Sequence, residues 1–138
     1  MSLDTNIKNA KGFFKIHFMK FVDEIGGVKP VGHYSSAVIL PNGFLFLSGQ
    51  IANGDSVEEQ TRNVLNNISK ILSELGYSKN DIFKVVVYIK DISKFPQFNE
   101  VYKEFFGEHK PVRTTVEVSR LPKDSLIEIE VAAFKVAP

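Results

Sequence analysis

The chain has 138 residues, 43% of them apolar, with 17 basic and 16 acidic side chains and a formal net charge of +1. That is enough chain for one buried core and too little for two, and the charge balance disfavours a nucleic-acid partner, which wants a basic excess. No apolar run spans a bilayer and the start lacks a signal-peptide layout; the absence of cysteine excludes disulfides, thiolate catalysis and cysteine-bound metal, and suits a reducing, cytoplasmic setting.

Residues 1–18 read as an N-terminal extension ahead of a single domain over 19–138. Phe13, Phe14, Ile16 and Phe18 are too apolar to leave in water. They either add an edge strand or pack on a neighbouring subunit, with Met19 as an alternative start. A short strand is expected over 21–25, closed by Gly26-Gly27. Residues 34–40 and 44–48 read as a hairpin around the Asn42-Gly43 turn. Gly49 follows at once, where it either ends the strand or lets the backbone approach a ligand.

Ser56 and Glu59 have the spacing of a capping box. Val57, Thr61, Val64, Ile68, Ile71 and Leu75 then recur at steps of three and four, which predicts an amphipathic helix ended by Gly76. Residues 81–90 are nearly continuously apolar at their centre, as expected of a strand covered on both faces. A second helix is predicted from a Ser93 cap, with Pro96 in its first turn, to a stop at Gly107. Two further strands, 113–119 and 126–135, complete the order β-β-β-α-β-α-β-β. One sheet with two helices on a single face is the economical α+β architecture, with right-handed crossovers after the third and fourth strands.

The last two strands carry the chemistry. Arg113 heads the first; Glu128 and Glu130 share one face of the second, opposite Ile127, Ile129 and Val131. Alternating acids are also what a half-wet strand looks like. The sharper reading pairs a carboxylate with an Arg fork able to hold a small anion in bidentate fashion. The face away from the helices is expected to carry Thr115, Glu117, Glu128 and Glu130 beside apolar side chains of the first hairpin, and so to self-associate. In a simple hairpin Arg113 and Glu128 would share a face but stand about 10 Å or more apart. Either the two strands are not neighbours, or the pair meets across a subunit boundary. The three histidines, His17, His33 and His109, lack metal-ligand spacing, and no metal is expected.

These motifs, taken in order, resemble the RidA family, also called YjgF or L-PSP endoribonuclease-like. Gly32-His33-Tyr34-Ser35 is similar to its G-P-Y-S and Ser48-Gly49-Gln50-Ile51 is its S-G-Q-I. Gln60-Thr61 and Asn67-Ile68 match its helix pattern. Asn99 and Tyr102 stand at the spacing of F-x-x-V-N-x-x-Y, Pro111-Val112-Arg113-Thr114 resembles P-A-R-S, and Leu121-Pro122-Lys123 with Ile127-Glu128-Ile129-Glu130 completes the set. The resemblance covers about residues 19–136. It implies a chorismate-mutase-like fold with one mixed six-stranded sheet, a homotrimer with a central barrel, and sites in clefts between subunits.

The same resemblance implies an imine deaminase: hydrolysis of 2-aminoacrylate- and 2-iminobutanoate-type products of dehydratases to 2-oxo acids and ammonia, with no cofactor. Arg113 then binds the substrate carboxylate and Glu128 positions and activates water. Tyr34, Ser48 and Gly49 border the pocket, Asn99 and Tyr102 lie near it, and Thr115 joins the substrate-binding set at a position that is often Cys. His33 stands where the family usually has Pro, and the loop between Ile51 and Gln60 is shorter than usual, which alters the cleft rim. Two other functions compete: a small-carboxylate-binding regulatory or chaperone-like trimer that uses Arg113 without needing Glu128, and an endoribonuclease or translation inhibitor, ranked last on charge. Partial burial would raise the Glu128 pKa and a nearby Arg113 would lower it, so the net sign is open from sequence.

Overall fold

A computed structural model describes residues 19–136; the extension read over 1–18 lies outside the described residues. The order is β1 (Lys20–Val22), β2 (Ala37–Ile39), β3 (Phe44–Leu47), α1 (Val57–Glu74), β4 (Ile82–Ile89), α2 (Phe95–Phe106), β5 (Val112–Glu117) and β6 (Ile127–Phe134). This is the predicted order; every strand stops short of its predicted end, while β1 and β5 begin one residue earlier than expected. The first hairpin is the most shortened: β2 begins only at Ala37, after a tight turn in which the Tyr34 amide donates to the Gly32 carbonyl.

One six-stranded sheet runs β1-β2-β3-β6-β4-β5. Only β4 and β5 are parallel; every other pair is antiparallel. The strands 113–119 and 126–135 are therefore not neighbours, because β4 lies between them. The chain's last strand enters the middle of the sheet, where Ile127, Ile129 and Ala133 are fully buried.

Both helices cover one face. Val64, Leu65, Ile68 and Leu72 of α1 and Phe98 and Phe106 of α2 join the strand residues Leu45, Val85, Val87, Ile89, Ile127 and Ile129 in one core. The period of α1 dictates this, since its apolar residues form a single stripe. Its N-cap is built as predicted at Ser56, whose hydroxyl accepts the Glu59 amide; the Glu59 carboxylate reaches one residue further back, to the Asp55 amide (2.7 Å). At α2 the predicted cap is corrected. Ser93 lies in a short 3-10 turn, Ile92–Lys94, where the Asp91 carboxylate accepts both its amide and its hydroxyl, and α2 starts after it.

The other face is open and half apolar. Phe21, Phe46, Val112, Val116 and Phe134 are exposed on or beside it, between 37% and 67%. No helix among the described residues is long and apolar enough to cross a membrane.

Candidate functional site

The predicted site residues fall into two groups on opposite sides of the sheet. The first surrounds Glu128. In the register of the sheet Glu128 stands opposite Tyr88 and Glu130 opposite Val86, both on the open face. Glu128 lies at the end where β3 gives out. There Gln50 makes an isolated bridge to Ile129, exchanging amide–carbonyl bonds of 2.8 and 3.0 Å. That bridge holds Gly49 flat against Glu128, and a Cβ added at Gly49 would collide with the Glu128 carboxylate. The glycine is needed for close approach rather than for a turn.

Glu128, Gly49 and Tyr34 share a cleft of about 260 Å³, walled by Ile25, Val28, Pro30 and Val31 on one side and by Pro122 and Lys123 on another. Ser48 flanks it. Its hydroxyl donates to the Ser35 carbonyl (2.6 Å), so it holds the Tyr34 segment in place instead of pointing at a ligand.

The second group surrounds Arg113. Arg113 pairs with Val85, Thr115 with Val87 and Glu117 with Ile89. Val85, Val87 and Ile89 are fully buried, so these three β5 side chains face the helices. The expectation that Thr115 and Glu117 lie on the open face with Glu128 is overturned, and so is the shared face for Arg113 and Glu128. The cause is β4. It reverses direction relative to β6 but not to β5, and its register brings Arg113 level with Val131, a core position three places beyond Glu128.

Once there, the guanidinium is caged. It lies 4.6 Å from the Tyr102 ring centre, 5.4 Å from Phe95 and 5.5 Å from Phe98, and Nη1 donates to Asn99 Oδ1 (3.0 Å). The turn of α2 supplies all four partners, because positions 95, 98, 99 and 102 follow the three-and-four spacing of one helix face. Asn99 and Tyr102 thus stand beside Arg113. Two hydroxyls in this group, Tyr102 Oη and Thr115 Oγ1, are buried without a hydrogen-bond partner. Such orphans are uncommon among buried polar groups.

Neither charge is neutralised at home. Among the described residues the ion-pair geometry is met only by Arg120 and Asp124, both exposed. Burial, and then the negative charge of Glu130, push the Glu128 carboxyl above its ordinary value. Within one chain Arg113 faces away and does not offset that rise. Phe95, Lys29 and Lys123 were not foreseen as site residues. Phe95 carries no signal beyond its place one turn before Asn99. Lys123 is brought to the cleft by a left-handed backbone (φ 56), which nothing in its residue type announces. No group of three or more His, Cys, Asp or Glu able to hold a metal occurs among the described residues.

Comparison with known proteins bears on this geometry. Residues 25–135 match the family model described as Endoribonuclease L-PSP. A RutC family protein of Pyrococcus horikoshii is 54% identical over 116 residues, 78% of this chain and 90% of that protein. Among solved structures, a Yersinia pestis protein described as a member of the conserved Rid protein family superposes with a TM-score of 0.78 at 36% identity, over 86% of this chain and all of that one. The E. coli protein TdcF, solved with bound serine, superposes with a TM-score of 0.76 at 37% identity, over 84% of this chain and 98% of that one.

Proposed function

The chain belongs to the endoribonuclease L-PSP family, which includes the RutC and Rid proteins, and from that premise we propose that it hydrolyses reactive enamines and imines of small amino acids to 2-oxo acids and ammonia. One observation carries the reading: a caged guanidinium and a proton-accepting carboxylate, each lacking an ionic partner among the described residues, flank the same sheet. A 2-imino acid offers one feature to each, a carboxylate for Arg113 and an electrophilic C=N carbon for the water beside Glu128.

The chemistry balances with these groups alone. Glu128 accepts a proton as its water adds to the C=N carbon, giving a carbinolamine. The nitrogen takes up a proton, the C–N bond breaks with its electron pair going to nitrogen, and the hydroxyl proton is lost to leave C=O and ammonia. A carboxylate whose value is held above the ordinary one is the stronger base, so it takes the proton from the attacking water more readily than a free carboxylate does. Arg113 contributes orientation, and its three aromatic neighbours exclude water from the carboxylate contact.

Because the two groups point to opposite faces, the functional unit is an oligomer. In a homotrimer the open face of one copy meets the β5 edge of the next, which brings an Arg113 to a neighbour's Glu128 cleft. The exposed Phe21, Phe46, Val112 and Val116 fit burial there, and the orphaned Thr115 and Tyr102 hydroxyls fit a carboxylate at Arg113. A second reading, a small-carboxylate-binding regulator, is favoured by the relative solved with bound serine, since serine is no imine.

A coupled assay separates the two. An amino-acid oxidase or dehydratase generates the imine, semicarbazide traps it, and suppression of the trapped product is followed. Suppression by the wild type but not by Glu128→Gln is the expected result. No suppression with several imines from a folded oligomer, alongside tight binding of 2-oxo acids, overturns the hydrolase reading in favour of the regulator.

A further inference from the structure

Tyr88 has no part in the site described so far, yet it touches both acids of β6. Its backbone is paired with Glu128 across the β4–β6 ladder. Its hydroxyl leans diagonally along the open face and donates to Glu130 Oε1 at 2.6 Å, a short bond of the kind made to an ionised acceptor. Diagonal neighbours on an antiparallel pair are within reach of a long aromatic side chain. The tyrosine is thereby paired through its backbone with one acid of the strand and hydrogen-bonded through its hydroxyl to the next on the same face.

We propose that Tyr88 and Glu130 are a positioning pair for Glu128: Tyr88 clamps the Glu130 carboxylate at a set distance on the same face, so that a fixed negative charge always stands beside the group that handles the proton. The inference rests on the hydrolase reading for its consequence but not for its geometry.

The physical argument has two links. The Tyr88 hydroxyl, bonded to Oε1, fixes where the Glu130 carboxylate sits on the open face. An ionised Glu130 two residues along the strand, about 7 Å away at the strand rise, then makes it harder for Glu128 to stay charged. The titration directions agree: Glu130 is the second cause of the raised Glu128 value after burial, and Tyr88 is pushed up to about 12, chiefly by its bond to Glu130, so it stays a donor throughout the working range. The other groups facing Glu128 are Tyr34 and Lys29 from the loop after β1 and Lys123 from the turn before β6. Lys84 stands further along the open face, level with Ala132. In the assembled site an Arg113 from a second copy is added. Only Glu130 is both acidic and tethered.

Two variants separate charge from tether. Glu130→Gln keeps an acceptor for Tyr88 and removes the charge. Tyr88→Phe keeps the charge and removes the tether. The acid limb of the pH–kcat/KM profile is expected to move to lower pH in Glu130→Gln. One pH unit below the wild-type midpoint, this variant should retain about two- to fivefold more of its plateau rate than the wild type. Tyr88→Phe should move the limb the same way but less, and the double variant should match Glu130→Gln alone.

The carboxyl carbon of Glu128, followed by NMR titration in ¹³C-glutamate-labelled protein without substrate, should show the same ordering of midpoints. An unmoved Glu128 titration in folded Glu130→Gln overturns the pair whatever the activity. A moved titration in a protein that hydrolyses no imine upholds the pair and overturns the function. A double variant that shifts further than Glu130→Gln shows that Tyr88 acts on Glu128 by another route and overturns the tether.

Discussion

The Arg113 pocket and the Glu128 cleft lie on one sheet, yet they are built in different ways. Arg113 stands on an edge strand and is held from the side by a helix, with three rings and one amide fixing the guanidinium. Glu128 stands on an interior strand, but its cleft is walled largely by loops between Ile25 and Tyr34 and around Pro122 and Lys123. An anchor works by being rigid, because every degree of freedom removed beforehand is one the bound state need not lose. A proton-transfer group works by having its ionisation poised. Rigid packing is therefore concentrated around the cation, and burial with a neighbouring charge around the acid.

The sharpest way to break this comparison is to remove the anchor. Arg113→Ala should lower kcat/KM by about 10³-fold or more and abolish binding of 2-oxo acids by calorimetry, since orientation and carboxylate recognition are lost together. Retained binding would place the anchor elsewhere. Glu128→Gln should lower kcat by about 10²–10³-fold while leaving 2-oxo acid binding within about threefold of wild type.

The division between copies can be tested with the same two variants. Neither is expected to be active alone. Unfolded, mixed in equal parts and refolded together, they should regain about a quarter of wild-type activity, because random assortment gives that share of sites two intact halves. No recovery from a well-folded mixed oligomer would put both halves in one chain.

Gly49→Ala tests the close approach at the acid. The added methyl displaces the Glu128 carboxylate, and a loss of about tenfold or more in kcat/KM is expected with little change in Tm, as the site of displacement is a cleft wall and not the core. An unchanged rate would mean that the carboxylate has a second working position.

The smallest effect concerns stability. Glu128 has a folded-state value raised above its unfolded one. Its contribution is therefore fully present below the unfolded value and is lost as pH rises through the folded value. At neutral pH the ionised side chain weakens the fold, so Glu128→Gln should raise Tm slightly there, and the gain should fade as the pH is lowered toward 4. A gain that grows on acidification would reverse the assigned direction.

Much of this was legible from residues alone. The element order, the stripe on α1, the breaks at Gly26-Gly27, Asn42-Gly43, Gly76 and Gly107, and Arg113 and Glu128 as the residues to watch all follow from local chemistry. The place of Asn99 and Tyr102 near the pocket comes only from the family resemblance, and their contact with Arg113 only from the structure. Ser93 misled because Asp91, two residues earlier, accepts both its amide and its hydroxyl and so draws it into a 3-10 turn ahead of the helix. Lys123 belongs to a motif of the resemblance but has no assigned role there, and Lys29 reads only as part of an extended or turning segment; their place at the cleft depends on turns whose shape is set by distant packing.

What the sequence determined by itself was periodicity: which side chains share a face within each strand and helix, and which residues can carry charge. What only the tertiary structure decided was which faces coincide. Inserting β4 between β5 and β6, parallel to one and antiparallel to the other, set the register that turns Arg113 to the helices and Glu128 to the open face. A shift of one residue along either ladder would reverse that choice, because side chains alternate with period two. Such a shift is resisted by the burial of Val85, Val87, Ile127 and Ile129 together, a property of the packed sheet that no single strand contains.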